Sequence, residues 1–218
     1  MLMRRRISTS VAAVAIGASV ITVACGCAIR PSGPGRRATG HGAAPAMTAQ
    51  VPSSAVATVK ATFTAAVTAV ASFGSPPAGY RMTIVSAIAM RQAVPGFSAI
   101  LASDLETSGK AAILRYFGPM QAPAERRALA SAMAYDADPR IINLGSGVTR
   151  ISFGRVAAAG SVATVSAEVT SWSKAAARQR ATGTWLTDAT MRDTRYIATL
   201  SRDLGGSWQV TRLTATPL

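Results

Sequence analysis

Histidine and cysteine are nearly absent from this chain of 218 residues, which has one His, at position 41, and two Cys, at 25 and 27. All three precede the part of the sequence whose patterning predicts a folded body. That body therefore has no disulfide framework, no thiolate to hold zinc, and no imidazole to serve as a general base. Lysine is scarce too: of 23 basic residues only Lys60, Lys110 and Lys174 are lysine. This usage, beside abundant alanine, fits a GC-rich genome. Aromatics are 6% of the chain. A nucleic-acid reader needs stacking aromatics beside a concentrated basic face, so the net charge of +14, scattered along the sequence, does not point to one. No catalytic constellation, metal-ligand spacing or phosphate loop occurs. Gly145-Ser146-Gly147 is too short and wrongly flanked for a phosphate loop, and no Gly-x-Ser-x-Gly elbow is found.

What is present begins at the N-terminus. Arg4-Arg5-Arg6 is followed from Ile7 to Ala24 by an uncharged run of Ala, Val, Ile, Ser, Thr and Gly. A basic head before a greasy run is the order of an export signal. No later run of that length is apparent, which argues against several membrane spans. An uncleaved single anchor, with its arginines left in the cytoplasm, is the other reading of this segment.

The run ends Ile21-Thr22-Val23-Ala24-Cys25-Gly26-Cys27. Here the sequence resembles a bacterial lipobox, in which small or apolar residues precede a Cys that receives a diacylglycerol. The resemblance implies a lipid on Cys25 or Cys27, Cys25 being the better placed because Ala24 directly precedes it. It implies an extracytoplasmic lipoprotein at the cell membrane, with plain secretion as the alternative. Residues 1–27 then form the signal peptide with lipobox. Residues 28–53, rich in Pro, Gly, Ala, Ser and Thr, read as a flexible linker, which would hold the domain about 25 to 30 Å off the membrane.

Residues 54–218 carry hydrophobic periodicity. With 49% hydrophobic and 15% charged residues in the chain, they should fold around a core. Val56, Val59, Phe63, Val67 and Val70 form a helical stripe after Ser53 and Ser54, closed by Gly74-Ser75-Pro76-Pro77. Tyr80–Val94 suits either helix or strand. Ser108–Phe117 and Pro123–Tyr135 predict two further helices, the second with Pro123 in its first turn and Glu125 at the favoured end of the helix dipole. After Gly145-Ser146-Gly147 the texture becomes strand-like. Ala163, Val165, Ala167 and Val169 alternate with polar residues, and Tyr196–Leu200 and Trp208–Val210 predict a hairpin about Leu204–Ser207. Phase shifts within Val148–Val156 and Trp208–Ala215 predict β-bulges and a bent sheet.

Helices first, then curved strands ending Gly-Gly-Ser-Trp-Gln-Val-Thr-Arg-Leu, resemble the nuclear transport factor 2-like (cone) superfamily. The resemblance implies an α+β fold, with N-terminal helices packed on a curved antiparallel sheet, and an apolar pocket. It implies a non-catalytic binding or accessory module for an apolar ligand or an envelope partner. The alternative is a small cone enzyme, a cyclase or isomerase, working through Tyr and Asp. No cofactor, metal or catalytic residue is assigned. The remaining candidates have plainer readings. Asp104 with Glu106, and Asp136 with Asp138, can pair for acid and base work, but at this spacing they more often cap and solvate. Asp138 before Pro139 is turn chemistry. Tyr80, Tyr116, Tyr135 and Tyr196 can line a cone. Lys174, Arg178 and Arg180 in a polar connection can attract anionic headgroups.

Overall fold

The computed structural model describes residues 53–76, 83–93 and 97–218. The signal segment, Cys25, Cys27, His41, the linker and Tyr80 lie outside the described residues. Helices come first: α1 (Ser53–Ala71), α2 (Ile84–Ala93), α3 (Phe97–Tyr116) and α4 (Ala122–Asp136). Then follow β1 (Ile141–Ala159), β2 (Val162–Arg178), β3 (Trp185–Arg202) and β4 (Trp208–Pro217). The strands form one antiparallel meander in the order β1-β2-β3-β4. Helices against a bent antiparallel sheet are the α+β architecture expected from the sequence.

The α1 stripe is the heart of the core. Val59, Phe63, Ala66 and Val67 are each at most 1% exposed. They pack against the inner face of the sheet, where Val165, Val169, Leu200 and Val210 are equally buried. A fully buried side chain of this size contributes about 1.5–3 kcal/mol of transfer free energy, so this cluster dominates the fold. Ser54–Ala71 is also 18 residues long with a mean hydropathy of 1.4, enough by length and composition to cross a bilayer. That corrects the expectation that no run matches the first in length; Lys60 and scattered threonines disguise a helix made apolar by its core role. Its end is fixed to β1. Gly74 (φ +76°) turns the chain, Asn143 Nδ2 donates to the Gly74 carbonyl, and Ser146 N donates to Ser75 Oγ at 3.1 Å.

The Tyr80–Val94 ambiguity resolves as helix α2, started by Thr83, whose Oγ1 accepts from Ser86 N at 3.3 Å as an N-cap does. Helix α3 begins eleven residues before the expected Ser108, at Phe97. Asp104 and Glu106, expected to cap and solvate, lie on the wet side of this continuous helix, whose Leu105 is buried. Inside α3, a Cβ on Gly109 would lie 2.5 Å from a Leu129 methyl, so glycine there permits the close approach of α4. Helix α4 runs as expected, with proline in its first turn.

In the sheet, register shifts fall between Val148 and Arg150, between Phe153 and Val156, and opposite Thr199 and Leu200, within the two predicted regions, and one more, between Asn143 and Gly145, falls ahead of them. They bend the sheet about α1. Two expectations need correction. Strand β1 starts at Ile141, so Gly145-Ser146-Gly147 lies inside a strand, and its glycines face the indole of Trp172, which pairs with Gly147. A Cβ on Gly145 would approach Trp172 Cη2 to 2.9 Å, and on Gly147 would approach Nε1 to 3.3 Å. Strand β3 begins at Trp185, and its first half is mostly exposed, which erased the alternation that marks its second half. Lys174 and Arg178 therefore belong to β2, not to a connection.

Candidate functional site

In a bent sheet the chemically useful place is the concave side, where strands and helices converge. Here α1 occupies it. Phe63 meets Phe153 of β1 edge-on with ring centroids 5.8 Å apart, and Tyr196 of β3 at 6.4 Å. Lys60 Nζ sits 5.2 Å over the Phe153 ring. Around this aromatic group Tyr116, Met133, Ile151 and Leu213 are half-buried, so the rim is apolar.

One acidic group enters this environment. Glu125, in the first turn of α4, is only 6% exposed. Gln121 stands before α4 and makes no capping bond; its Nε2 donates to Glu125 Oε1 at 2.7 Å, and its Oε1 accepts from Leu213 N at 3.0 Å. Burial pushes the Glu125 carboxyl above its ordinary range, since desolvation outweighs the opposing Gln121 bond. Burial also raises the Tyr196 phenol, and the nearby Glu125 charge raises it further. A carboxyl that holds a proton more readily than usual, beside a phenol that resists losing one, can donate or accept a hydrogen bond in an apolar setting.

The Gln121 bridge also finishes the sheet. Strand β4 is an edge strand, and two of its outer backbone groups, Val210 O and Leu213 N, are bonded to the α3–α4 connection. Gly118 N donates to Val210 O at 2.9 Å, Phe117 bridges Val210, and Gln209 Nε2 reaches Leu114 O at 3.4 Å. Leu213 N is bonded to Gln121. Edge strands left open invite pairing with other chains, and from Val210 to Leu213 these bonds block it.

The residues singled out from sequence are not gathered at this site. Asp104 is exposed on α3, and Glu106 pairs with Lys110 one turn on, at 2.5 Å. Asp138 accepts from Arg140 N at 2.9 Å and from the Arg140 guanidinium at 2.7 Å, the turn role assigned to it. These bonds hold its carboxyl down at about 2. Tyr135 lies at the end of α4, raised by burial and by the Asp136, Asp188 and Asp138 charges. Of the tyrosines, Tyr196 and Tyr116 line the core, and the Glu125 charge acts on Tyr196. In the sequence Glu125 is legible only as a dipole partner, and Gln121 carries no signal of its own. A spacing of four between Gln and Glu at a helix start was the available signal. A groove of about 350 Å³ between α3 and α4, lined by Ile113, Leu114, Leu129 and Met133 with Lys110 and Arg126, was also invisible in the sequence. Among the described residues no group of acidic, His or Cys side chains is placed to hold a metal ion.

No family model and no curated protein matches the chain. Solved structures similar to it include CagV, a VirB8 homolog of the type IV secretion system of Helicobacter pylori, at 8% identity and a TM-score of 0.38, over 74% of this chain and 98% of that one. A periplasmic fragment of TraM is similar at 8% identity and a TM-score of 0.38, over 77% of this chain and all of that one. A ketosteroid isomerase-like protein from Erwinia carotovora atroseptica gives 17% identity and a TM-score of 0.31, over 58% of this chain and 95% of that one. Similarity this low decides neither activity nor partner.

Proposed function

We propose that this protein is an exported lipoprotein, anchored through Cys25 or Cys27 at the outer face of the cytoplasmic membrane, whose α+β domain is a non-catalytic accessory module for an apolar ligand or an envelope partner. The observation that favours the non-catalytic half is the packing of Val59, Phe63, Ala66 and Val67 of α1 against Val165, Val169, Leu200 and Val210 on the inner face of the sheet. The anchoring half rests on the basic head, the greasy run and the lipobox-like Cys25 and Cys27. Blocking lipoprotein signal peptidase with globomycin should make a larger precursor accumulate, and Cys25→Ala with Cys27→Ala should abolish lipid labelling. Unchanged processing, with membrane attachment intact in the double variant, would refute the anchor. Native mass spectrometry of the membrane-extracted protein tests for a bound apolar ligand.

Glu125 beside Tyr196 favours a second reading, a small enzyme that moves protons on a hydrophobic substrate. The two readings separate on Tyr196→Phe. An accessory module keeps its ligand or partner binding in that variant, whereas an isomerase or cyclase loses turnover while still folding.

A further inference from the structure

Helix α1 runs from the Phe153 half of β1, where Lys60 lies, toward its start, where Gly74 meets Asn143. Its first residue, Ser53, thus stands at the end of the domain where the β1–β2 and β3–β4 turns lie side by side, joined by the Arg202 N to Ser161 O bond. The α3–α4 connection comes to the same end through Gly118 and Val210. Each of these connections exposes a large apolar side chain: Leu204 is fully exposed, Met120 is 84% exposed and Val162 is half-exposed. Arg202, its guanidinium 4.9 Å over the Trp208 ring, Arg155 in the β1 bulge and Arg115 in the last turn of α3 are exposed nearby. Asp203 is the acidic residue of these connections, and its Oδ1 accepts from Ser207 N. The opposite end carries Asp136, Asp138 and Asp188, all close enough to act on Tyr135.

We infer that the end bearing Leu204, Met120 and Val162 docks against the headgroup layer of an anionic bilayer, the apolar tips entering the interface and Arg115, Arg155 and Arg202 meeting lipid phosphates. The inference rests on the membrane tether proposed above. Exposed apolar tips ringed by arginine match that boundary, where apolar area and cationic charge both favour binding. The linker would enter at Ser53 on the same end, so the tether and the docking face would act together rather than oppose each other. Lys174, Arg178 and Arg180, the basic group first marked for headgroups, lie in and beyond the far part of β2, on the end facing away.

Hydrogen exchange on the full-length chain tests this, with the protein reconstituted in vesicles of phosphatidylcholine alone or with about one-third phosphatidylglycerol. On the anionic vesicles, the amides of Met120, Gln121 and 203–207 should exchange about fivefold more slowly than on the neutral ones. Leu204→Ser with Met120→Ser should remove that difference while the chain still floats with the vesicles; both sites are exposed, so folding is unaffected. A chain that floats but exchanges at equal rates on both vesicles overturns the docking face and leaves the tether standing. A chain that floats with neither vesicle overturns the tether and the docking face together.

Discussion

Gln121 donates its amide to the buried Glu125 carboxylate at 2.7 Å while the other atom of the same amide accepts from the backbone of β4. One side chain therefore ties the start of α4, the only buried acidic residue among those described and the edge of the sheet. Replacing it leaves two buried groups short of a partner, the Glu125 oxygen and the Leu213 N–H. Gln121→Ala should lower the unfolding free energy by about 1–3 kcal/mol, measured by urea titration. Gln121→Glu should be worse at neutral pH than at pH 4, because it sets two carboxylates against each other.

The raised Glu125 carboxyl has a definite pH signature. A group whose folded pKa exceeds its unfolded value stabilises fully below the unfolded value, and that contribution is lost as pH rises through the folded value. Glu125→Gln, which keeps an acceptor for Gln121, should raise the melting temperature at pH 8 relative to the native chain. The gain should shrink toward pH 4. An equal shift at both pH values would show that the carboxyl is not protonated more readily than usual.

Asp138 is the opposite case. Its carboxyl, held down at about 2 by Arg140, contributes stability above the ordinary value of 3.8 that disappears as pH falls toward 2. Carbon-detected NMR titration should place its midpoint near 2, and Arg140→Ala should return it toward 3.8. The pair is exposed, so solvent screening keeps the loss of thermal midpoint in Arg140→Ala small at pH 7, and it should vanish toward pH 2.

Phe63 joins α1 to Phe153 and Tyr196, and none of its surface reaches solvent. Phe63→Ala should cost about 3–5 kcal/mol. Ile197→Ala, on the exposed side of β3, should cost about 0.5 kcal/mol or less. Equal costs would mean that the concave face is not the core.

Gly145 (φ +143°) and Gly160 (φ +57°) both hold conformations that resist side chains, but Trp172 crowds only Gly145. Either glycine changed to alanine should cost about 1–3 kcal/mol, with Gly145 the higher. In a Trp172→Ala background the Gly145→Ala cost should fall toward that at Gly160, a coupling readable from a double-mutant cycle.

Local patterning determined much of this protein. The α1 stripe, the proline-started α4, the alternation of Ala163 to Val169, the final hairpin and the bulges all come from spacings within a few residues, and periodicity is a local property. The α+β class followed from their order. What the tertiary structure decided is where distant segments meet. Glu125 is an ordinary helix-start carboxylate until the fold buries it and Gln121 links it to β4. Gly145 and Gly147 read as a loop until Trp172 of the next strand lies across them. The first half of β3 carries no alternation because neither face is covered, and Leu204, Met120 and Val162 share one end only because the meander and α3 bring their connections there. Burial and juxtaposition depend on contacts far apart in the chain, which no short window of sequence encodes.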